Sequence, residues 1–149
     1  SFDPNIRKEL FTDDSIYAVI GEVMENVSIF LPGEEELISM MHTETVEQAI
    51  EKCFELQNME IIVLKRGSKG SRIYTRENMF EVLPYKVVQL DATGAGDCYD
   101  GAFLAGVAQG KSLEEAAKMG AAAGALNAAA FGPMEGKISV ETIWEMINA

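Results

Sequence analysis

Seven residues, Asp91-Ala-Thr-Gly-Ala-Gly-Asp97, combine three requirements for handling a phosphoryl group. The small residues Gly94, Ala95 and Gly96 let the backbone approach a ligand closely, and glycine tolerates the dihedrals of such a turn. The apolar stretch that begins at Cys98 predicts a helix, whose N-terminus offers free N–H groups and a positive dipole end to an anion. Asp97 then falls in the first helical turn, beside the place where that anion would lie. Amides that hold developing negative charge, with a carboxylate that takes a proton from an attacking hydroxyl, are the parts of phosphoryl transfer. The plainer reading of Asp97 is a helix cap.

The elements that must position this turn are bounded by composition. A chain of 149 residues suffices for one domain with a real core, and 48% apolar with 24% charged residues is the balance of a globular protein. No apolar run reaches the roughly 18 residues of a membrane span, and no signal-peptide pattern opens the chain, so a cytoplasmic protein is expected. Cys53 and Cys98 have no metal-ligand spacing and read as reduced, buried thiols. With 24 acidic against 12 basic residues the net charge is −12, which disfavours nucleic acid and anionic membrane as partners; a solvated acidic surface accounts for it.

Strand-like and helix-like segments alternate along the chain. Phe2 to Asn5 reads as a strand end entering a loop. Ile16, Val19, Ile20, Val23, Met24 and Val27 fall on one helical face. Ser28 to Leu31 is a short strand stopped by Pro32-Gly33, with an acidic helix from Glu34 to Met40 after it. Val46, Ala49, Ile50, Cys53 and Phe54 mark another helix, and Glu60 to Lys65 is a buried β-branched strand ended by Gly67. Further strands are expected over Ser71 to Thr75 and Met79 to Leu83, and Val87 to Leu90 leads into the small-residue turn. Beyond it come a helix to Gly110, an Ala-rich helix opened by the capping box Ser112-Leu-Glu-Glu115, and a final amphipathic helix through Val140, Ile143, Trp144 and Ile147. This alternation predicts an α/β layered sheet, at least partly parallel, in one domain over residues 1–149. For the small residues of the Ala-rich helix, either dense packing or close approach of a ligand would serve.

Two nucleotide-motif likenesses fail on context. Ala105 to Ser112 falls short of a Walker A loop and follows a helix, where Ser112 serves better as a cap. Gly94-Ala-Gly96 begins like a dinucleotide fingerprint, but Tyr99 occupies the third glycine position.

Asp91 to Leu104 closely resembles the second signature of the ribokinase-like (PfkB) carbohydrate kinases, an Asp-Thr-x-Gly-Ala-Gly-Asp turn, with Ala92 where that pattern has Thr or Pro. Other segments agree in order. Phe2-Asp-Pro-Asn-Ile-Arg7 resembles a stretch found in 2-keto-3-deoxygluconate kinases and fructokinases. Leu31 to Leu37 resembles the family's Asn-x-x-Glu segment, with Gly33 in place of the Asn. Leu64 to Gly70 is similar to its Gly-x-x-Gly nucleotide turn, and Ala122 to Gly132 to the helix and loop that line the adenine.

The resemblance implies a ribokinase-like three-layer αβα sandwich and ATP-dependent phosphorylation of a sugar or sugar-acid hydroxyl, with 2-keto-3-deoxygluconate or a ketose such as fructose or tagatose as acceptor. It implies Asp97 as general base and the amides of Gly94, Ala95 and Gly96 as anion hole. Lys65, Arg66, Gly67, Ser68, Gly70 and Asn127 would contact nucleotide. Arg7 would meet a substrate carboxylate or phosphate, and Glu36 would organise Mg²⁺ through water. In some family members a loop matching Asp91 and Thr93 holds a monovalent cation such as K⁺; an ordinary turn residue is the equal alternative for Asp91. Arg7 and Glu36 as plain surface charges are the alternative for those two. Family members run to about twice this length, so the chain is expected to begin midway through the fold, with the first strands, the lid and most sugar contacts elsewhere. The family often pairs through that lid, which implies a homodimeric parent. A non-catalytic nucleotide-binding fragment is the second hypothesis.

Overall fold

The computed structural model describes residues 1–6 and 15–149. Six helices and four strands follow in the order α1 (Ser15–Met24), β1 (Ile29–Phe30), α2 (Glu34–Met41), α3 (Val46–Glu55), β2 (Ile61–Lys65), β3 (Ser71–Thr75), β4 (Met79–Val82), α4 (Ala95–Ala108), α5 (Leu113–Ala128) and α6 (Val140–Asn148). The strands form one sheet in the order β1-β2-β3-β4. β1 and β2 pair in parallel, with Ile29 opposite Ile61 and Phe30 opposite Ile62, across the long connection that carries α2 and α3. The short links from β2 to β3 and from β3 to β4 allow only antiparallel neighbours. Phe2 adds a parallel bridge to Phe30. Residues 83–90, which lead into the small-residue turn, form no strand.

The chain divides into two compact units, Ser1–Arg66 with Arg72–Met79, and Gly67–Ser71 with Phe80–Ala149. In the first, the apolar centre of β2 (Ile62, Val63, Leu64) is fully buried. Its core joins Phe30, Leu37, Met40, Ala49, Ile50, Cys53 and Met59. Burial pushes the Cys53 thiol up to about 12, so it is an inert core residue.

In the second unit α5 lies against α4 through small residues. A Cβ on Gly120 would come 2.9 Å from the Tyr99 carbonyl oxygen, and one on Gly124 would come 3.1 Å from that of Ala95. The alanines and glycines of α5 thus serve close helix packing. Ser112 caps α5: its hydroxyl accepts from the Glu115 N–H at 3.2 Å, and the Glu115 carboxylate accepts from the Ser112 N–H at 3.2 Å. Ile143 of α6 closes a small core with Met119, Ala122 and Ala123. Among the described residues, no helix is long and apolar enough to cross a membrane.

Candidate functional site

Gly94 is the N-cap of α4 and adopts φ 77°, ψ 0°, a left-handed conformation that a side chain would strain. A Cβ there would also stand 3.3 Å from Pro133, because the segment after α5 lies over the turn. The Ala95 N–H donates to the Ala92 carbonyl at 3.1 Å, and the Cys98 N–H closes the first helical bond to Gly94 at 3.0 Å. The amides of Gly94, Gly96 and Asp97 find no acceptor among the described residues, as the start of a helix leaves them. The free donors are therefore these three, with the Asp97 amide in the place expected of the Ala95 amide.

Asp97 lies in the first turn of α4 and is exposed. Its carboxylate makes no capping hydrogen bond, so the cap reading does not describe it. A free carboxylate thus stands one helical turn from three free amides.

Asp91 fixes the turn from behind. Its Oδ1 accepts from the Thr93 N–H at 2.9 Å, and its Oδ2 accepts from the Gly132 N–H at 3.1 Å. The Thr93 hydroxyl first, and then these two amides, hold its carboxyl below the usual carboxylate range. The turn-residue reading of Asp91 is what the geometry presents, and it extends from the local turn to the loop after α5.

Asn127 is fully buried, and its Nδ2 donates to the Thr93 carbonyl at 2.8 Å. Its Oδ1 is buried with no hydrogen-bond partner. The side chain therefore braces the turn from within α5 and is too deep to meet a base or ribose. An amide in an Ala-rich helix needs a buried partner, a signal in the sequence that the resemblance to a nucleotide-lining helix passed over.

The second glycine turn, residues 67–70, packs with the unit that carries α4. Gly67 to Lys69 form a single 3-10 turn, and Gly67 and Ser68 are exposed. Gly70 adopts φ 86°, and a Cβ on it would overlap the Val82 carbonyl oxygen and stand 3.1 Å from Pro84. Sequence reasoning missed the next contact: the Ser71 and Tyr99 hydroxyls, 2.8 Å apart and buried, join the end of this turn to α4.

The remaining expected residues sit in the first unit. Lys65 pairs with Asp3 at 2.9 Å, and Arg66 pairs with Glu34 at 3.1 Å. Both cations are largely buried and committed to internal carboxylates, which departs from the expected nucleotide contacts. Glu36 accepts the Ile6 N–H at 2.7 Å through Oε1 and the Gly33 N–H at 2.8 Å through Oε2. It thus clips the start of α2 to residue 6 and is no plain surface charge. Arg7 lies outside the described residues. Among the described residues, no three His, Cys, Asp or Glu side chains gather into a metal cage. Mg²⁺ is ordinarily held by one or two carboxylates plus water and substrate phosphate, without such a cage.

Residues 1–139 match the pfkB family carbohydrate kinases. The chain belongs to that family. A relative from Archaeoglobus fulgidus, described as an uncharacterized sugar kinase, is 35% identical over 115 residues, covering 77% of this chain and 45% of that protein. Fructokinase-1 of Oryza sativa is 32% identical over 136 residues, 86% of this chain and 42% of its own length. An E. coli protein given as ribokinase II, solved in complex with ATP and Mg²⁺, matches with a TM-score of 0.94 and 35% identity over 99% of this chain and 48% of that one. The chain therefore has the ribokinase-like α/β fold, and it spans about half the length of these relatives.

Proposed function

We propose that this chain supplies the nucleotide-binding and phosphoryl-transfer half of an ATP-dependent kinase acting on a sugar or sugar acid. The acceptor is a keto sugar such as fructose or tagatose, or 2-keto-3-deoxygluconate. The observation that carries the reading is the start of α4, where three amides without acceptors and an uncapped, exposed carboxylate share one helical turn. The donor set suits a phosphate: N–H groups converge at a positive dipole end, and Gly94 removes the side chain that would crowd the approach. The names of the relatives, sugar kinase and fructokinase, support the acceptor class.

Each residue then has a task. Asp97 accepts the proton of the attacking hydroxyl, worth about 10² to 10⁴ in rate for a well-placed base. The amides of Gly94, Gly96 and Asp97 stabilise charge on the transferring group without reorganising. Asp91 and Asn127 hold the turn in place through Thr93 and Gly132. Gly67 and Ser68 contact nucleotide, a reading supported by their exposure at the second turn. ATP supplies the phosphoryl group, and Mg²⁺ offsets its charge. Glu36 remains the carboxylate that would orient a metal-bound water, through lone pairs left beside its two amide bonds.

The test is sugar-dependent ADP release by the full-length protein that carries this chain, with and without Asp97→Asn. We expect turnover to fall by about 10² to 10⁴ with ATP affinity retained. Near-normal turnover in the Asp97→Asn variant would remove Asp97 from the role of base. ATP binding without sugar-dependent turnover in the unaltered full-length protein would favour the non-catalytic reading.

A further inference from the structure

The glycine turn at 67–70 and the helix bearing Asp97 are joined by a contact that neither the turn motif nor the catalytic carboxylate requires. The Ser71 hydroxyl lies 2.8 Å from the Tyr99 hydroxyl. Ser71 is 1% exposed and Tyr99 7% exposed, so water does not compete for either group. Each is the other's hydrogen-bond partner, and loss of one leaves a buried hydroxyl unsatisfied.

The geometry leaves the tyrosine little freedom. Its ring stacks on Phe103 with centroids 6.4 Å apart and planes 17° apart. A Cβ on Gly120 would come 3.0 Å from the ring, so α5 also packs closely against it. Tyr99 stands two residues beyond Asp97 on α4, and Ser71 directly follows Gly70. On its other flank the same turn is seated against Val82 and Pro84 by Gly70. Burial raises the phenol to about 12, so it stays protonated at any working pH. Phenylalanine at this position would preserve the stacking and remove only the hydroxyl. The hydroxyl's bond to Ser71 is therefore separable from packing.

We infer that the Ser71–Tyr99 hydrogen bond is a positioning tether, which holds the glycine turn of residues 67–70 in register with the first turn of α4. Nucleotide contacts made at one turn and the phosphate-facing amides and Asp97 of the other are thereby fixed in one frame. Tyr99 is a positioning residue, since its burial keeps it from substrate. This inference rests on the kinase reading for its consequence, but the tether itself is a property of the free chain.

The experiment uses Tyr99→Phe, Ser71→Ala and the double variant of the full-length protein that carries this chain, read two ways. Hydrogen exchange of the amides of residues 67–71 tests the tether without ligand. We expect each single variant to exchange about tenfold faster there, and the double variant no faster than either single one, as for one shared bond. Titration with ATP tests positioning: the dissociation constant should rise about tenfold in each single variant at temperatures well below unfolding. Ser71→Thr, which keeps the hydroxyl, should restore both values.

Unchanged exchange in both single variants would overturn the tether. Faster exchange with unchanged ATP affinity would overturn the positioning role and leave a structural bond. A wild-type protein that fails to bind ATP at all overturns the nucleotide reading and, with it, the positioning role, while the exchange measurement still decides the tether.

Discussion

Two glycines of one turn separate the energy of an unusual backbone conformation from that of a steric overlap. Gly67 and Gly70 both have positive φ, 54° and 86°. A Cβ on Gly67 meets nothing within 4 Å. Gly67→Ala should therefore carry only the left-handed penalty, about 1 kcal/mol. A Cβ on Gly70 overlaps the Val82 carbonyl oxygen and crowds Pro84, atoms of the backbone and a rigid ring that cannot rotate aside. Gly70→Ala should add an overpacking cost of about 1–3 kcal/mol to the same conformational penalty, for a total of about 2–4 kcal/mol. Both variants stiffen the unfolded chain equally, so that contribution cancels in the comparison. For a chain of this size each kcal/mol lowers the melting temperature by about 3 °C. Thermal unfolding followed by circular dichroism should then show a loss of about 3 °C for Gly67→Ala and about 6–12 °C for Gly70→Ala. Equal melting temperatures for the two variants would refute the packing of this turn against Val82 and Pro84.

Further outcomes can be checked on the same chain. Ser112→Ala removes the cap of α5 and should destabilise by about 1 kcal/mol, read as a lower midpoint in urea. Glycine at that position should lose less than alanine. Asp91 has its carboxyl held below the ordinary value when folded. Its contribution is therefore present above the ordinary carboxylate value and is lost as pH falls through the lowered, folded one. Melting temperatures of Asp91→Asn should fall less steeply than wild type on acidification below about pH 4, and parallel curves would contradict the bonds to Thr93 and Gly132.

The α/β alternation was legible because it is written locally. The β-branched run at β2, the Ser112-x-x-Glu115 box and the Gly110 stop each carry their signal within a few residues. The turn at Gly94 was legible for the same reason, since φ, cap and following helix are set by adjacent residues. What escaped depends on partners far away in sequence. Lys65 and Arg66 read as nucleotide contacts until Asp3 and Glu34 are brought to them. Glu36 reads as a metal-organising or surface carboxylate until the amide of Ile6, thirty positions away, is folded onto it. Asn127 suggested a ligand contact because polarity marks a residue as needing a partner without telling whether that partner is a nucleotide or a carbonyl of the same chain. Val87 to Leu90 read as leading into the turn, and residues 83–90 form no strand; four large apolar residues there, Leu83, Val87, Val88 and Leu90, remain exposed.

One face of α5 brings together Gly120, Gly124 and Asn127, at intervals of four and three residues. Two of these admit the carbonyls of Tyr99 and Ala95, and the third reaches Thr93. A single inserted or deleted residue within the helix would rotate everything beyond it by about 100°. Insertion before Gly120 would turn all three away from α4 and its turn together. Only substitution at constant length leaves these three in register: the helix works as a fixed-pitch gauge, and its residue count is as much a part of the site as any side chain it presents.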